Sequence, residues 1–225
     1  MPFRNRFFRN VLKVVAVFLL IVLAAVAMQF VWAYYRTPRL VSRFERSTPL
    51  PLDPAQFGKA RLRWLVTVDD PTFYRNDGVD GRTPGAGYTT ITQAIVKVVF
   101  FKDFRPGVLR WRKIEQTVIA LAFNARVSKE EQLRLFVNGV YLGSQHGHEI
   151  RGFSEASNAY FGKPFARLSD EEYLQLVAMI VAPKTYNVTT HPDQNRERVQ
   201  RIDRLLAGKC RPTSVEDVEY SACAE

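Results

Sequence analysis

Two carboxylates stand side by side in VDDPTFYRNDGVD, residues 68–80, where an apolar run gives way to a polar, glycine-bearing stretch. Paired carboxylates are groups that general acid–base chemistry uses, which makes Asp69 and Asp70 the first candidates for a reactive site. Asp, Asn and Gly also favour turns for steric and hydrogen-bonding reasons, so a turn closing a buried element is the simpler reading and starts ahead. A second group is VVFFKDFRPGVLRWRK, residues 98–113, in which Phe100, Phe101, Phe104, Leu109 and Trp111 interleave with Lys102, Arg105, Arg110 and Arg112. This is either a core edge with a solvated basic face or a segment that dips into a bilayer, aromatics down and cations on the headgroups. His146 and His148 lie close together but lack a third ligand in view, so no metal site is expected there. Cys210 and Cys223 are the two cysteines of the chain, and in an exported domain such a pair more often forms a disulfide than a metal site.

The elements that position these groups begin with an apolar run. Val14 to Met28 carries no charged or strongly polar residue, and the apolar character resumes from Phe30 to Tyr35. That length spans a hydrocarbon core of roughly 30 Å. Arg4, Arg6, Arg9 and Lys13 crowd one end, and Trp32, Tyr34 and Tyr35 the other. The positive-inside rule then puts the N-terminus in the cytoplasm and the remainder outside. A cleaved signal peptide is the competing reading, disfavoured by the long apolar run and the lack of a clear small-x-small cleavage site. The net charge is +10, but five basic residues lie within the first 36 positions, which hold no acid, so the rest carries +5. A mildly basic domain beside a membrane suits anionic headgroups or phosphates, and nucleic acid is a poor candidate partner there.

The expected division is a basic cytoplasmic segment (1–13), a transmembrane helix (14–35), a linker or short packed approach rich in Pro, Arg and Ser (36–56), a domain (57–208) and a C-terminal tail (209–225). Within the domain the pattern is mainly helical. Helices are expected over 88–101, over 111–127, from a capping box at Ser128 and Glu131 to about Leu142, from a second box at Ser169 and Glu172 to about Val181, and over 192–207 with Gly208 as the stop. Strand-like alternation is scarce.

Four segments, in order, resemble the family 51 peptidoglycan glycosyltransferases, which include monofunctional transglycosylases and the N-terminal domains of class A penicillin-binding proteins. VDDPTFYRNDGVD is similar to that family's Glu-Asp-x-x-Phe-x-x-His-x-Gly. GYTTITQAIVK is similar to Gly-Gly-Ser-Thr-Ile-Thr-Gln-Gln followed by Lys. WRKIEQTVIALAFNARVSKEEQLRLFVNGVYLG resembles the long Arg-Lys-x-x-Glu…Ser-Lys…Tyr-Leu-Asn segment. EIRGFSEASNAYFGKPFARLSDEE resembles Gly-Phe…Ala-x-x-Tyr-Phe-Gly-Lys…Leu-Ser-x-x-Glu, and APKTYNVTTHP is a looser fifth match. The resemblance implies a mainly α, lysozyme-like domain behind one N-terminal transmembrane helix. It implies lipid II and the glycan strand as partners, with cell-wall synthesis proteins as further candidates. It calls for no cofactor, a divalent cation beside the pyrophosphate being left open.

Carried over residue by residue, the resemblance puts the family's general-base Glu at Asp69, the following Asp at Asp70, and the family His at Asn76. The second essential Glu falls at Gln116, which accepts and donates hydrogen bonds but carries no charge. Tyr88 and Thr89 stand where Gly-Ser is usual, and Ala94 where the second Gln is. Lys97, Arg112 and Lys113 match residues that hold the pyrophosphate, a task suited to Arg and Lys. Gln93, Thr90 and Thr92 line the cleft or cap a helix, and Asn138, Tyr160 and Lys163 read as residues of the fold. Three functions follow: a binding protein with polymerisation weakened or lost, an active lipid II polymerase using Asp69 as base, and, more weakly, a lytic enzyme. The changed carboxylate positions favour the first.

Overall fold

The computed structural model of the chain describes residues 2–101 and 111–224, with side chains from residue 8 onward. Its described residues are mainly helical, with one two-stranded hairpin. Residues 102–110, which hold most of the aromatic–basic segment expected to dip into a bilayer, lie outside the described residues.

Helix α1 runs from Pro2 to Ser47, 46 residues, or about 69 Å at 1.5 Å per residue. Phe8 to Met28 is exposed all round, and the helix is long and apolar enough to cross a membrane. Of the two readings of 36–56, linker or short packed approach, residues 36–47 follow the second: they continue this helix and pack on the domain. Composition suggested a linker; spacing explains a helix. Phe30, Ala33, Tyr34, Thr37, Val41 and Phe44 recur every three or four residues and form a stripe packed on the domain. Pro38 removes one backbone donor from α1 and is tolerated because lateral packing holds the turn around it. Arg126 over the Tyr34 ring (5.1 Å) and the Arg134–Glu45 ion pair fasten the two sides together.

Helix α2, Gly58–Asp69, was not anticipated; it ends on the first carboxylate, and Asp70 follows as its C-cap. Helix α3 spans Ile91–Phe100, α4 Trp111–Asn124 and α5 Lys129–Gly139. These are shorter at one or both ends than the sequence suggested. Helix α5 stops at Gly139 because Tyr141–Gln145 forms strand β1, paired antiparallel with β2, His148–Arg151. His146 and Gly147 are the tip of that hairpin, both with positive φ (51° and 82°), the combination of a type I′ turn. Both histidines of this stretch are exposed hairpin residues.

Helix α6 is Gly152–Phe161, α7 Asp170–Met179 and α8 Pro192–Leu206. Ser169 and Glu172 make the full reciprocal capping box. Ser128 accepts from the Glu131 N–H, but the Glu131 carboxylate turns to Arg134 instead. Phe57, Phe153, Phe165 and Tyr173 form an aromatic knot, with centroids 4.4 to 6.1 Å apart, that joins α2, α6 and α7. After Gly208, which takes the left-handed conformation at φ 69°, the tail folds back and Cys210 is disulfide-bonded to Cys223.

Candidate active site

The end of α2 sorts its side chains by angle. Leu65, Val66 and Val68 face the core, and Asp69, one residue on, lines a cleft of about 890 Å³. The far walls of the cleft come from α3 through Ala94, Lys97 and Val98, from the 85–89 loop, from α5, and from Phe44 at the end of α1. Asp69 keeps part of its surface open to the cleft yet sits deep among protein atoms. Burial, then the neighbouring Asp70, push its carboxyl up to about 7; Arg198 and Lys97 pull the other way. A carboxylate poised near neutrality can take a proton at working pH.

Asp70 behaves differently. It is fully buried and caps α3: Oδ2 accepts from the Ile91 N–H (3.1 Å) and Oδ1 from Asn76 Nδ2 (2.8 Å). Burial raises its proton affinity, and these two hydrogen bonds with Lys129 lower it. Asn76, at the position of the family His, is held within the fold. Its Oδ1 accepts from the Gly78 N–H (2.9 Å) and from Lys129 Nζ (3.3 Å). Phe73 beneath it is wholly buried, with Lys129 Nζ 4.6 Å above the ring. At Gly78, φ is 92° and a Cβ would fall 2.7 Å from the Ala120 carbonyl, so glycine alone lets this segment lie on α4.

Thr90 and Gln93 form the capping box of α3. Thr90 Oγ1 accepts from the Gln93 N–H (3.1 Å) and Gln93 Oε1 from the Thr90 N–H (3.2 Å), and both residues are buried. Lys113 braces the same loop, donating to Tyr88 O, Thr89 Oγ1 (3.2 Å) and Gln93 Oε1 (3.4 Å). Burial, then Lys97, lower its ammonium to about 8. Lys97 is also lowered by burial, with Asp69 opposing. Arg112 is exposed in the first turn of α4 and lines neither of the two cavities.

Gln116 is the clearest departure from a cleft residue. It is fully buried, its Nε2 donates to the α3 backbone at Gln93 O (2.7 Å), and its Oε1 is buried without a hydrogen bond. It clamps α4 to α3 and does not line the cleft. Of the expected site residues, the cleft therefore gathers Asp69 and Lys97. Asp70, Thr90, Gln93 and Gln116 form the buried layer behind them, and Lys113 faces a second cavity of about 430 Å³.

Sequence reasoning missed Arg198 and Tyr220. Arg198 is almost wholly buried on α8, lines the cleft, donates Nε to Ala178 O (3.1 Å) and lies over the rings of Tyr186 (5.0 Å) and Tyr220 (5.3 Å). Tyr220 donates its hydroxyl to Val68 O, the carbonyl just before Asp69. The available signal was Arg198 on the buried stripe of α8 with Asn195, Val199 and Ile202. The donor set does not fit a protein-held divalent cation: Asp70 has both oxygens engaged, Asp69 and Glu149 are the carboxylates that line the cleft, and no group of three or more candidate ligands occurs among the described residues, where such ions take six or more oxygens.

A long apolar helix whose C-terminal part packs on a mainly helical domain, with a carboxylate and a lysine facing one deep cleft, is the architecture expected of a transglycosylase domain. The family described as Transglycosylase matches residues 39–206, and the chain belongs to it. It is 32% identical to penicillin-binding protein 1B of Vibrio cholerae over 186 residues, 75% of this chain and 23% of that protein. It is 36% identical to penicillin-binding protein 1B of Escherichia coli over 156 residues, 63% and 18% of the two chains. With penicillin-binding protein 1F of Bacillus subtilis it shares 31% over 151 residues, 61% and 20%. The chain thus spans less than a quarter of the length of these relatives.

Proposed function

We propose that this chain is a membrane-anchored member of its family that binds lipid II or the nascent glycan strand in cell-wall synthesis, and polymerises it slowly or not at all. The observation that carries this reading is the split between Asp69 and Gln116. Asp69 and Lys97 face one cleft, while the position of the second family carboxylate holds a neutral amide bonded to the α3 backbone. A lipid-linked pyrophosphate would meet Lys97 in the cleft. Charge-assisted contacts of that kind contribute about 1.5–3 kcal/mol each. The basic cluster at Arg4, Arg6, Arg9 and Lys13 supports a cytoplasmic N-terminus and a domain on the periplasmic side. Other cell-wall synthesis proteins are candidate partners.

A second reading is supported by the proton affinity of Asp69, near 7. In it the protein is an active polymerase. Asp69 takes the proton of the acceptor hydroxyl, the freed oxygen bonds to the donor sugar's anomeric carbon with inversion, and the carbon–oxygen bond to pyrophosphate breaks. Lys97 then bears the leaving group's charge. The experiment is polymerisation of labelled lipid II by wild type and Asp69→Asn, with lipid II binding measured separately. Binding without polymerisation in both supports the first reading; wild-type polymerisation lost in Asp69→Asn supports the second. No lipid II binding by wild type overturns both.

A further inference from the structure

The two lysines that a single pyrophosphate would use line different cavities. Lys97 faces the larger cleft with Asp69, and Lys113 faces the smaller cavity with Asp80, Arg82, Gln93 and Thr117. Tyr88 lines both. It stands where the resembled pattern has glycine, so a phenol ring fills a place that pattern leaves without a side chain. The Tyr88 hydroxyl donates to Glu216 Oε1 at 2.5 Å, reaching across to the C-terminal tail.

That tail lies beyond the part of the chain that matches the family, residues 39–206. It is built against the loop that carries Tyr88. The Gly85 N–H donates to Ser214 O (2.8 Å) and the Gly87 N–H to Val215 O (2.9 Å). At Gly87 a Cβ would fall 2.8 Å from Val218 Cγ1, so the loop and tail approach this closely because no side chain intervenes. Asp217 Oδ1 accepts from the Ser221 N–H (2.7 Å), and the Cys210–Cys223 disulfide closes the segment. Glu216 is thus presented from a braced strap, although its hydrogen bond to Tyr88 is exposed.

The lysines are also suited to share an anion. Lys97 and Lys113 repel one another, which an anion between them would relieve. Of the three contacts made by Lys113 Nζ, the one to Gln93 Oε1 is the longest at 3.4 Å and the easiest for a phosphate oxygen to replace.

The geometry points to Tyr88 as a gate that sets which anions the site accepts: latched to Glu216 it keeps the two lysines apart, and swung aside it lets one pyrophosphate reach both. This rests on the lipid-pyrophosphate reading above. An exposed hydrogen bond contributes little net stability, so the Tyr88–Glu216 contact itself adds little resistance to a ligand that displaces the ring. A small anion is held at Lys97 alone with the gate closed, and a pyrophosphate recruits Lys113 by displacing the ring.

The test uses the full chain in detergent micelles and farnesyl pyrophosphate as the probe, with affinity read by titration calorimetry. Tyr88→Ala should bind about tenfold more tightly, because a second charged contact becomes available without opening the gate. Adding Lys113→Ala should cancel that gain. Tyr88→Phe and Glu216→Ala keep a side chain at each end but release the latch, and should each tighten binding by about two- to threefold. They also serve if Tyr88→Ala fails to fold. Unchanged affinity in the folded Tyr88 and Glu216 variants, with binding that still depends on Lys97, overturns the gate and leaves the lipid-pyrophosphate reading standing. A gain that survives Lys113→Ala also overturns the gate. No binding by wild type or any variant overturns both.

Discussion

Asp69 and Asp70 are the same residue type, adjacent at the end of one helix, and they do different work. Asp69 opens on the cleft and is pushed up to about 7 by burial and then by Asp70, with Arg198 and Lys97 opposing. Asp70 turns inward and satisfies the first backbone donor of α3 and the Asn76 amide. The helix ends between them: Asp70 is the C-cap and leaves helical geometry at φ −151° and ψ 80°, and that break separates a group exposed to ligand from a group that orders the wall behind it. The same division separates Lys97, in the cleft, from Gln116, pinned to the α3 backbone. Chemistry faces the cleft on one layer, and the second layer fixes where α3 and α4 stand.

The largest expected effect falls on the inward member. Asp70→Ala strands the Ile91 N–H and the Asn76 amide in a buried place, and each orphaned donor costs roughly 1–3 kcal/mol. We expect about 4 kcal/mol of destabilisation, read as thermal unfolding of the full chain in micelles by circular dichroism. Asp69→Ala should cost far less. Equal losses in the two variants would break the comparison.

The tail sharpens it next. Replacing both Cys210 and Cys223 by Ser opens a short loop and should cost about 3 kcal/mol in the chain-entropy model. Because Tyr220 in that tail holds the Val68 carbonyl and stacks on Arg198, the loss should also move the Asp69 titration. Asp70, held from α3 and Asn76, should titrate as before. Carboxyl carbon resonances of labelled aspartate report both groups in one experiment.

These contrasts were only partly legible in the sequence. The caps at Ser128 and Ser169, the stop at Gly208 and the helical stripe of α4 are local signals, and they gave the right elements to within a few residues. Family motifs pointed to Asp69 and Lys97, and both line the cleft. Helix α2 was missed because its polar residues are mixed among the apolar ones with no capping side chain at Phe57. The stretch over 36–47 read as a linker because Pro38 and the arginines outweighed a stripe that makes sense only once its partner, the α4 side of the domain, is known. The inward turn of Asp70 and Gln116 was invisible for a related reason: the partners are backbone groups of α3, and backbone groups leave no mark in a motif. Arg198 and Tyr220 reach the site from α8 and the tail, a long-range closure that no spacing rule encodes.

Gln116→Glu tests whether the second layer tolerates charge. The wild-type Nε2 donates to Gln93 O, and an ionised carboxylate there would face that carbonyl with no donor. A neutral carboxylic acid can donate in its place. The variant should therefore match wild type in melting temperature at about pH 5 and lose about 2 kcal/mol near pH 8, where ionisation must be forced in a buried site. Restoring the family's residue type at this position alone should not restore polymerisation. A rise in glycan synthesis by Gln116→Glu with stability unchanged across pH would show that the side chain reaches the cleft, and would break the two-layer division.

The smallest expected effect belongs to Asp69→Asn, and its sign follows from the direction of the shift. The folded-state carboxyl titrates near 7, above its ordinary value of 3.8, so between those values the folded protein binds more protons than the unfolded chain. Stability from this group is full below about pH 4, falls as pH rises towards 7, and is flat beyond. Asparagine does not titrate. The variant should be no more stable than wild type near pH 4 and more stable at pH 8, by about 1 kcal/mol once water in the cleft is allowed to screen the charge. The check is a set of melting curves at pH 4, 6 and 8 for both proteins. A difference that stays constant with pH would mean that Asp69 is solvated like an ordinary surface carboxylate. It would then lose its claim to be a base poised for proton transfer, and its contrast with Asp70 would reduce to exposure alone. A difference that grows with pH while Asp70→Asn shows a large loss at every pH would establish that adjacent carboxylates hold opposite roles.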